Sequence, residues 1–229
     1  VHVTRHGGPE VLELVDLPVP EPGPGEVRVR VAAISLNHLD LWVRRGMPGV
    51  EIPMPHVPGC DGTGTVDTLG PGTEGFAKGD HVLLQPGFTH EEGAETLAGL
   101  DHLAPDYGIR GEHAPGFAAE FVCLPARYLT PLPAGVDLVE AAALPLVFLT
   151  AWGMLVTRAE VRAAEQVLVI GAASGVGSAA IQLARTLGCR VAATAGSEEK
   201  RALGLALGAE EGFDHGDPEW SRAAKAFSE

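Results

Sequence analysis

The chain has 229 residues, 45% of them hydrophobic, 20% charged and 5% aromatic, and a formal net charge of -14. This is a globular composition with room for one large core or two modest ones; the acidic balance excludes the basic stripe of a nucleic-acid binder. Cys60, Cys123 and Cys189 are widely spaced and form no C-x-x-C, which argues against a disulfide framework or a zinc knuckle. No apolar run reaches the roughly 18 residues of a membrane span, and no secretory leader opens the chain, so a cytoplasmic protein that does not bind membranes is expected.

Residues 1 to 134 are rich in Gly, Pro, Val and Thr. The chain opens Val1-His2-Val3 without a methionine, as if inside a strand. Residues 18–25 form a Pro/Gly loop that cannot pair centrally in a sheet. Val27 to Val31 alternates at period two, and Gly64-Thr65-Val66, His81 to Leu84 and Ala119 to Val122 read as further strands. Many short strands between turn signals predict a β-barrel or sandwich. The texture changes after Pro133. A helix is predicted from Leu138 through Leu155, then a nearly all-apolar strand over Gln166 to Ile170, of the kind buried on both faces of a parallel sheet. A helix over Ser178 to Leu187, a strand over Arg190 to Thr194, a helix over Glu198 to Leu207 and a strand over Gly212 to Asp214 complete a βαβαβ order. The expected domains are therefore 1–134 and 135–229. The last residues, Phe227-Ser228-Glu229, fall a few positions into another helix, as if a longer chain continued.

The sharpest signal is Gly171-Ala172-Ala173-Ser174-Gly175-Val176-Gly177, between the apolar strand and the next helix. In that context Gly171 permits a sharp turn, Gly175 lets the backbone approach a pyrophosphate, and Gly177 lets helix and strand pack closely. Main-chain amides at the helix start, including those of Ala173, Ser174 and Val176, then face the phosphates. Short-chain dehydrogenases share the G-x-x-x-G-x-G spacing, but they need a Tyr and a Lys four residues apart. Tyr107 and Tyr128 have no such lysine, and both precede the turn. The second strand ends without the acid that would hold a ribose diol. Ser197, Lys200 and Arg201 follow it, with His215 after the third strand, and these donors favour a ribose 2′-phosphate. NADPH is the expected cofactor. NADH is the alternative, which Glu198 and Glu199 would favour.

The chain resembles the medium-chain dehydrogenase/reductase superfamily, on its zinc-independent, quinone-oxidoreductase-like side. The resemblance rests on an ordered set of segments: residues 7–12 (GGPEVL), Asn37-His38-Leu39-Asp40, Gly59-Cys60-Asp61-Gly62-Thr63-Gly64, the F-x-x-G-D-x-V turn at residues 76–82, Gly116 to Phe121, and Leu149-Thr150-Ala151-Trp152. It implies a GroES-like β-barrel followed by a Rossmann domain, here with its first half alone, and a homodimer or tetramer of the full-length protein.

By that resemblance the catalytic-zinc ligand positions carry Asn37, Cys60, Asp61 and Leu146. An amide and an apolar side chain leave too few ligands, so no metal is expected; a zinc enzyme with atypical ligands such as His38, Cys60 and Asp61 is the alternative. The stretch matching a structural zinc lobe, residues 88–104, has no cysteine; His90, Gly93, Thr96 and Ala104 stand at its ligand positions. Packing of Leu97, Leu100 and Leu103, or mobility, is then expected there. Without a metal, Asn37 is expected to donate to the oxygen of a small-molecule quinone, enone or other carbonyl. Asp40 would orient Asn37 or His38, His38 would supply a proton, and Thr150 would contact the nicotinamide. The same residues have plainer readings: a turn cap for Asn37, a helix-start acid for Asp40, a helix-carbonyl partner for Thr150. Trp42, Met47, Phe148 and Trp152 form either an apolar substrate wall or core. A non-catalytic NADPH-binding protein on the same fold is the further alternative.

Overall fold

The alternation of Val27 and Val29 with Arg28 and Arg30 builds the central strand of the first unit, in a computed structural model that describes residues 1–91 and 93–227. That unit covers Val1–Leu146. It begins with a short antiparallel pair, β1 (His2–Val3) and β2 (Leu12–Glu13). There follow β3 (Glu26–Ser35), α1 (His38–Arg45), β4 (Asp61–Leu69), β5 (His81–Leu84), β6 (Gly87–Phe88), α2 (Ala94–Leu97), β7 (Gly108–Ile109), β8 (Phe121–Pro125), β9 (Leu129–Pro131) and α3 (Leu138–Ala141). Five of the strands form one antiparallel sheet in the order β8-β3-β4-β5-β9. Register shifts between Arg28 and Val29 and between Val31 and Ala33 bend β3 against β4. Val27, Val29, Val66, Val82, Leu84, Phe117 and Leu124 make the core on one face. On the other face Arg28 pairs with Asp67 at 2.7 Å.

The second unit covers Val147–Glu229. Its strands β10 (Gln166–Ile170), β11 (Arg190–Ala195) and β12 (Glu211–Asp214) are parallel and pair in sequence order. Between them run α5 (Gly175–Thr186) and α6 (Glu198–Ala206), and α7 (Trp220–Phe227) follows. The core is built from small residues, with Ala179, Ala180, Ile181 and Ala184 of α5 against Val191, Ala193 and Ala195 of β11. Small side chains let the helix lie close to the sheet.

Several expectations need correction. The helix expected from Leu138 through Leu155 is broken. Asp137 caps α3 by accepting from the amides of Val139 and Glu140 at 2.7 and 3.0 Å; a separate helix α4 (Pro145–Trp152) then starts at a proline, which suits a first turn. Residues Gly153–Arg158 continue it as a π-helix. The segment 135–146 goes with the first unit. Strand β10 is not buried on both faces, since Leu168 is 43% and Ile170 62% exposed. It is an outer strand of the three-stranded sheet, and the faces of a parallel sheet are covered by the helices that lie across them. The lobe at 88–104 is not held by leucine packing, because Leu97, Leu100 and Leu103 are all exposed. Asp106 holds it instead, accepting from the amides of His90 and Glu91 at 2.7 and 3.0 Å, with the Thr89 amide donating to the Tyr128 hydroxyl at 2.9 Å. Glu92 of that lobe, and Ser228 and Glu229 at the end, lie outside the described residues.

Candidate functional site

The glycine turn falls where β10 gives way to α5. Gly171 has φ +83°, a conformation open to glycine. Its amide and that of Ala172 donate to the Thr194 carbonyl at 3.1 and 2.8 Å, which pins the turn to β11. Ser174 is the N-cap of α5: its hydroxyl donates to the Gly171 carbonyl at 2.9 Å and accepts from the Gly177 amide at 3.0 Å. A Cβ on Gly177 would lie 2.1 Å from the Gly171 carbonyl oxygen. That glycine is therefore required by the turn itself, more than by the strand–helix packing expected of it. A Cβ on Gly175 would meet Val147 Cγ1 at 2.9 Å, so packing explains Gly175 as well as phosphate approach does. Among the described residues, the bonds of the turn engage the amides of Gly171, Ala172, Ser174 and Gly177 and leave those of Ala173, Gly175 and Val176 without a partner in it. Gly175 and Ser174 are exposed. Three open amides at the positive end of a three-turn helix can donate to an anion.

Around the end of β11 lie Ser197, at the start of α6, and His215. Ser197 caps α6, accepting from the Lys200 amide at 3.4 Å. A Cβ on Gly196 would touch His215 Nε2 at 2.9 Å, and His215 Nδ1 lies 3.4 Å from the Thr194 hydroxyl. Arg201 pairs with Asp214 at 2.7 Å; the Gly216 amide and then Arg201 hold that carboxyl below the usual range. Thr194 was absent from the sequence expectations. It is fully buried, and its carbonyl and hydroxyl serve both the glycine turn and His215. Its one signal in the sequence is a lone polar side chain in an apolar strand.

In the first unit Asn37, Asp40, Cys60 and Asp61 come together. Asn37 precedes α1, and its main-chain amide donates to Asp40 Oδ2 at 2.7 Å. Asp40 Oδ1 accepts from the Gly59 amide at 3.0 Å. The Asn37 side chain turns the other way. Its Nδ2 donates to Asp61 Oδ2 at 2.7 Å and approaches Cys60 Sγ at 3.4 Å. Asp40 thus orients the Asn37 backbone, and no bond joins its carboxylate to the Asn37 or His38 side chain. Asp61 also accepts from the Ser35 hydroxyl at 2.9 Å and from the Leu146 amide at 2.7 Å. Asp40 and Asp61 are both buried. Burial raises both carboxyls above their ordinary range against the pull of these hydrogen bonds, and burial with the neighbouring acids pushes the Cys60 thiol up. The Asp61 oxygens already hold three donors, and Asn37 and Leu146 offer no charged ligand. Among the described residues no group of three or more His, Cys, Asp or Glu side chains is arranged to hold a metal ion.

His38 is exposed and tilts against Trp42, ring centres 6.1 Å apart. Trp42 is 52% exposed, which does not suit core. In the second unit Thr150 and Trp152 are exposed on α4, while Phe148 packs partly into the alanine-rich core. Among the described residues no helix is long and apolar enough to cross a membrane.

Comparison with known proteins agrees with this architecture. Residues 23–134 match the alcohol dehydrogenase GroES-like domain model, and residues 175–229 match the zinc-binding dehydrogenase model. The quinone oxidoreductase of Rattus norvegicus is 35% identical over 216 residues, which are 94% of this chain and 58% of the relative. The chloroplastic NADPH-dependent alkenal/one oxidoreductase of Arabidopsis thaliana is 34% identical over 214 residues, 92% of this chain and 50% of the relative. A crystal structure described as an NAD-dependent alcohol dehydrogenase superposes with a TM-score of 0.94 at 52% identity, covering 100% of this chain and 66% of the other. The chain thus spans little more than half the length of the curated relatives it matches. A GroES-like unit followed by the β10–β12 Rossmann unit, with matches to both along nearly all of the chain, places it in the medium-chain dehydrogenase/reductase superfamily.

Proposed function

We propose that this chain carries the substrate domain and the first dinucleotide-binding half of an NAD(P)H-dependent oxidoreductase that reduces a quinone, an enone or another carbonyl without a catalytic zinc. The observation that carries the proposal is the glycine turn, where the amides of Ala173, Gly175 and Val176 are open at the start of α5. A diphosphate seated there would be held by main-chain donors in a protein whose net charge of -14 otherwise repels anions. Gly171 and Gly177 keep the turn tight, and Ser174 fixes it from within. When bound, the nicotinamide supplies a hydride, and the reduced substrate takes up one proton to balance it. Thr150 is assigned to the nicotinamide side of the reaction.

On the substrate side, Asn37 is assigned to the reacting oxygen. Of its two amide hydrogens, one is firmly bound to Asp61, and the other meets only the weak acceptor Cys60 Sγ at 3.4 Å. The second is the one a carbonyl oxygen can take over. Asp40 keeps the Asn37 backbone at the helix start, and the exposed His38 is assigned the proton. An enolate or hydroquinone anion is better stabilised than a plain alkoxide, so a hydrogen bond serves where a Lewis acid is lacking.

For the adenosine end we favour NADPH. The strand β11 ends in Ala195 without an acid, Ser197 and Lys200 follow at the start of α6, and His215 lies against Gly196. NADH is the second reading: Arg201 is engaged by Asp214, and the crystal structure at 52% identity is described as NAD-dependent. A small-molecule substrate, a homodimeric or tetrameric assembly and a cytoplasmic location belong to the same proposal. The test is turnover of 1,4-naphthoquinone by the complete polypeptide after exhaustive chelation, with NADPH and NADH in parallel. Undiminished, NADPH-preferring turnover is expected. Activity that returns only with added zinc contradicts the metal-free mechanism, and binding without turnover contradicts the enzyme.

A further inference from the structure

We infer that Asp61 is a positioning residue that fixes which way the Asn37 side-chain amide faces. The inference rests on the reading of Asn37 as the group that contacts the reacting oxygen. Asp61 is the first residue of β4 and is 1% exposed. Its two oxygens accept three hydrogen bonds from three parts of the fold: Ser35 at the end of β3, Asn37 before α1, and the amide of Leu146, the second residue of α4. All three partners are donors, and a carboxylate is the side chain that accepts from all of them at once.

The consequence falls on Asn37. An asparagine amide can present either its oxygen or its nitrogen to a given neighbour by a half-turn about its last bond. The Asp61 Oδ2 contact at 2.7 Å selects the nitrogen, because the amide oxygen turned toward a carboxylate would be repelled. With the nitrogen held there, the second amide hydrogen is aimed at Cys60 Sγ. The backbone cannot swing to compensate, since Asp40 holds the Asn37 main-chain amide. Asp40 in turn is tied to Gly59, which adjoins Cys60. Gly59 itself is packed hard: a Cβ on Gly111 would sit 2.8 Å from its carbonyl carbon, and one on Gly116 would sit 2.2 Å from its oxygen. The acceptor side of the Asn37 amide is therefore as fixed as the donor side.

An asparagine at position 61 has the same shape but one acceptor oxygen, so its own amide hydrogens must confront one of the three donors. Asp61→Asn is expected to free the Asn37 amide to flip. A glutamate keeps the charge but displaces it by a methylene, so Asp61→Glu is expected to lie between the parent and Asp61→Asn. The experiment is a double-mutant cycle on steady-state kcat/KM for 1,4-naphthoquinone in the complete polypeptide, using Asp61→Asn, Asp61→Glu and Asn37→Ala. Thermal melts and the KM for NADPH serve as controls for folding and for the dinucleotide site. Expected is a loss of roughly tenfold or more in kcat/KM for Asp61→Asn and for Asn37→Ala. In the Asn37→Ala background, Asp61→Asn and Asp61→Glu are each expected to change kcat/KM by less than about twofold, with the KM for NADPH unchanged. If Asn37→Ala is costly but the losses multiply, Asp61 acts through the fold and the inference is overturned while the role of Asn37 stands. If Asn37→Ala has no effect, the role of Asn37 fails and the inference with it. Failure of both position-61 variants to fold would show that the carboxylate holds the fold and not the amide, and would also overturn it.

Discussion

Gly177→Ala probes the dinucleotide site without removing any polar group. The added Cβ would lie 2.1 Å from the Gly171 carbonyl oxygen and 2.8 Å from Ser174 Oγ, both closer than the 3.0 Å that real Cβ atoms respect. The backbone contact must open by about 1 Å, because the Gly171 carbonyl belongs to the main chain and cannot swing aside. That opening separates the two ends of the turn and moves the amides of Ala173, Gly175 and Val176 out of convergence. Overpacking of this kind costs about 1–3 kcal/mol, and a loss of that size in the bound state weakens binding by roughly fivefold to 150-fold. Titration of intrinsic fluorescence with NADPH reads the affinity, and a thermal melt separates it from unfolding. Gly153→Ala is the matched control, since nothing lies within 4 Å of the Cβ it would gain. Gly177→Ala binding NADPH within about twofold of the parent would refute the argument that this turn holds the diphosphate.

Three further outcomes follow from the same structure. His56 is 5% exposed, its Nε2 has no hydrogen-bond partner among the described residues, and burial lowers its pKa below the ordinary 6.5. The unfolded chain then binds the proton more readily than the fold, so stability should fall as pH drops below about 6.5, and His56→Gln should remove that part of the slope in urea unfolding between pH 8 and pH 5. Thr194→Val keeps both carbonyl bonds to the glycine turn but deletes the hydroxyl between Gly171 and His215; a loss of about 1 kcal/mol is expected in urea unfolding. In the lobe, Leu97→Ser should change stability by less than about 0.5 kcal/mol because Leu97 is 79% exposed, whereas Asp106→Ala, which strips the acceptor from the His90 and Glu91 amides, should speed limited proteolysis there.

The parts of this molecule legible in its sequence are those set by local rules. The strands Gln166–Ile170 and Arg190–Ala195 and the helix Glu198–Ala206 fall within a residue of expectation, because apolar runs and terminal glycines mark them. The same local reading put α5 three residues too late, since Gly175 and Gly177 look like turn residues though they lie within the helix. What escaped it depends on partners distant along the chain. The exposure of Leu168 and Ile170 depends on which helices lie over that face of β10, a matter invisible in five apolar letters. Asn37, Asp40 and the glycine turn were found by motif. The bond that aims the Asn37 side chain comes from Asp61, 24 positions away, and the atom that fastens the turn belongs to Thr194 on the next strand. Leucines in the lobe suggested packing, but a single acid at Asp106 organises the backbone there.

In the proposed function the open main-chain amides of Ala173, Gly175 and Val176 receive the diphosphate of a nicotinamide dinucleotide. Amide proton and nitrogen shifts of the isotope-labelled protein, followed as NADPH is added, test it at the atoms concerned. Saturable shifts at Ala173, Gly175 and Val176 with one common dissociation constant are expected. Saturation of the protein with NADPH while those three signals stay in place would contradict the proposal.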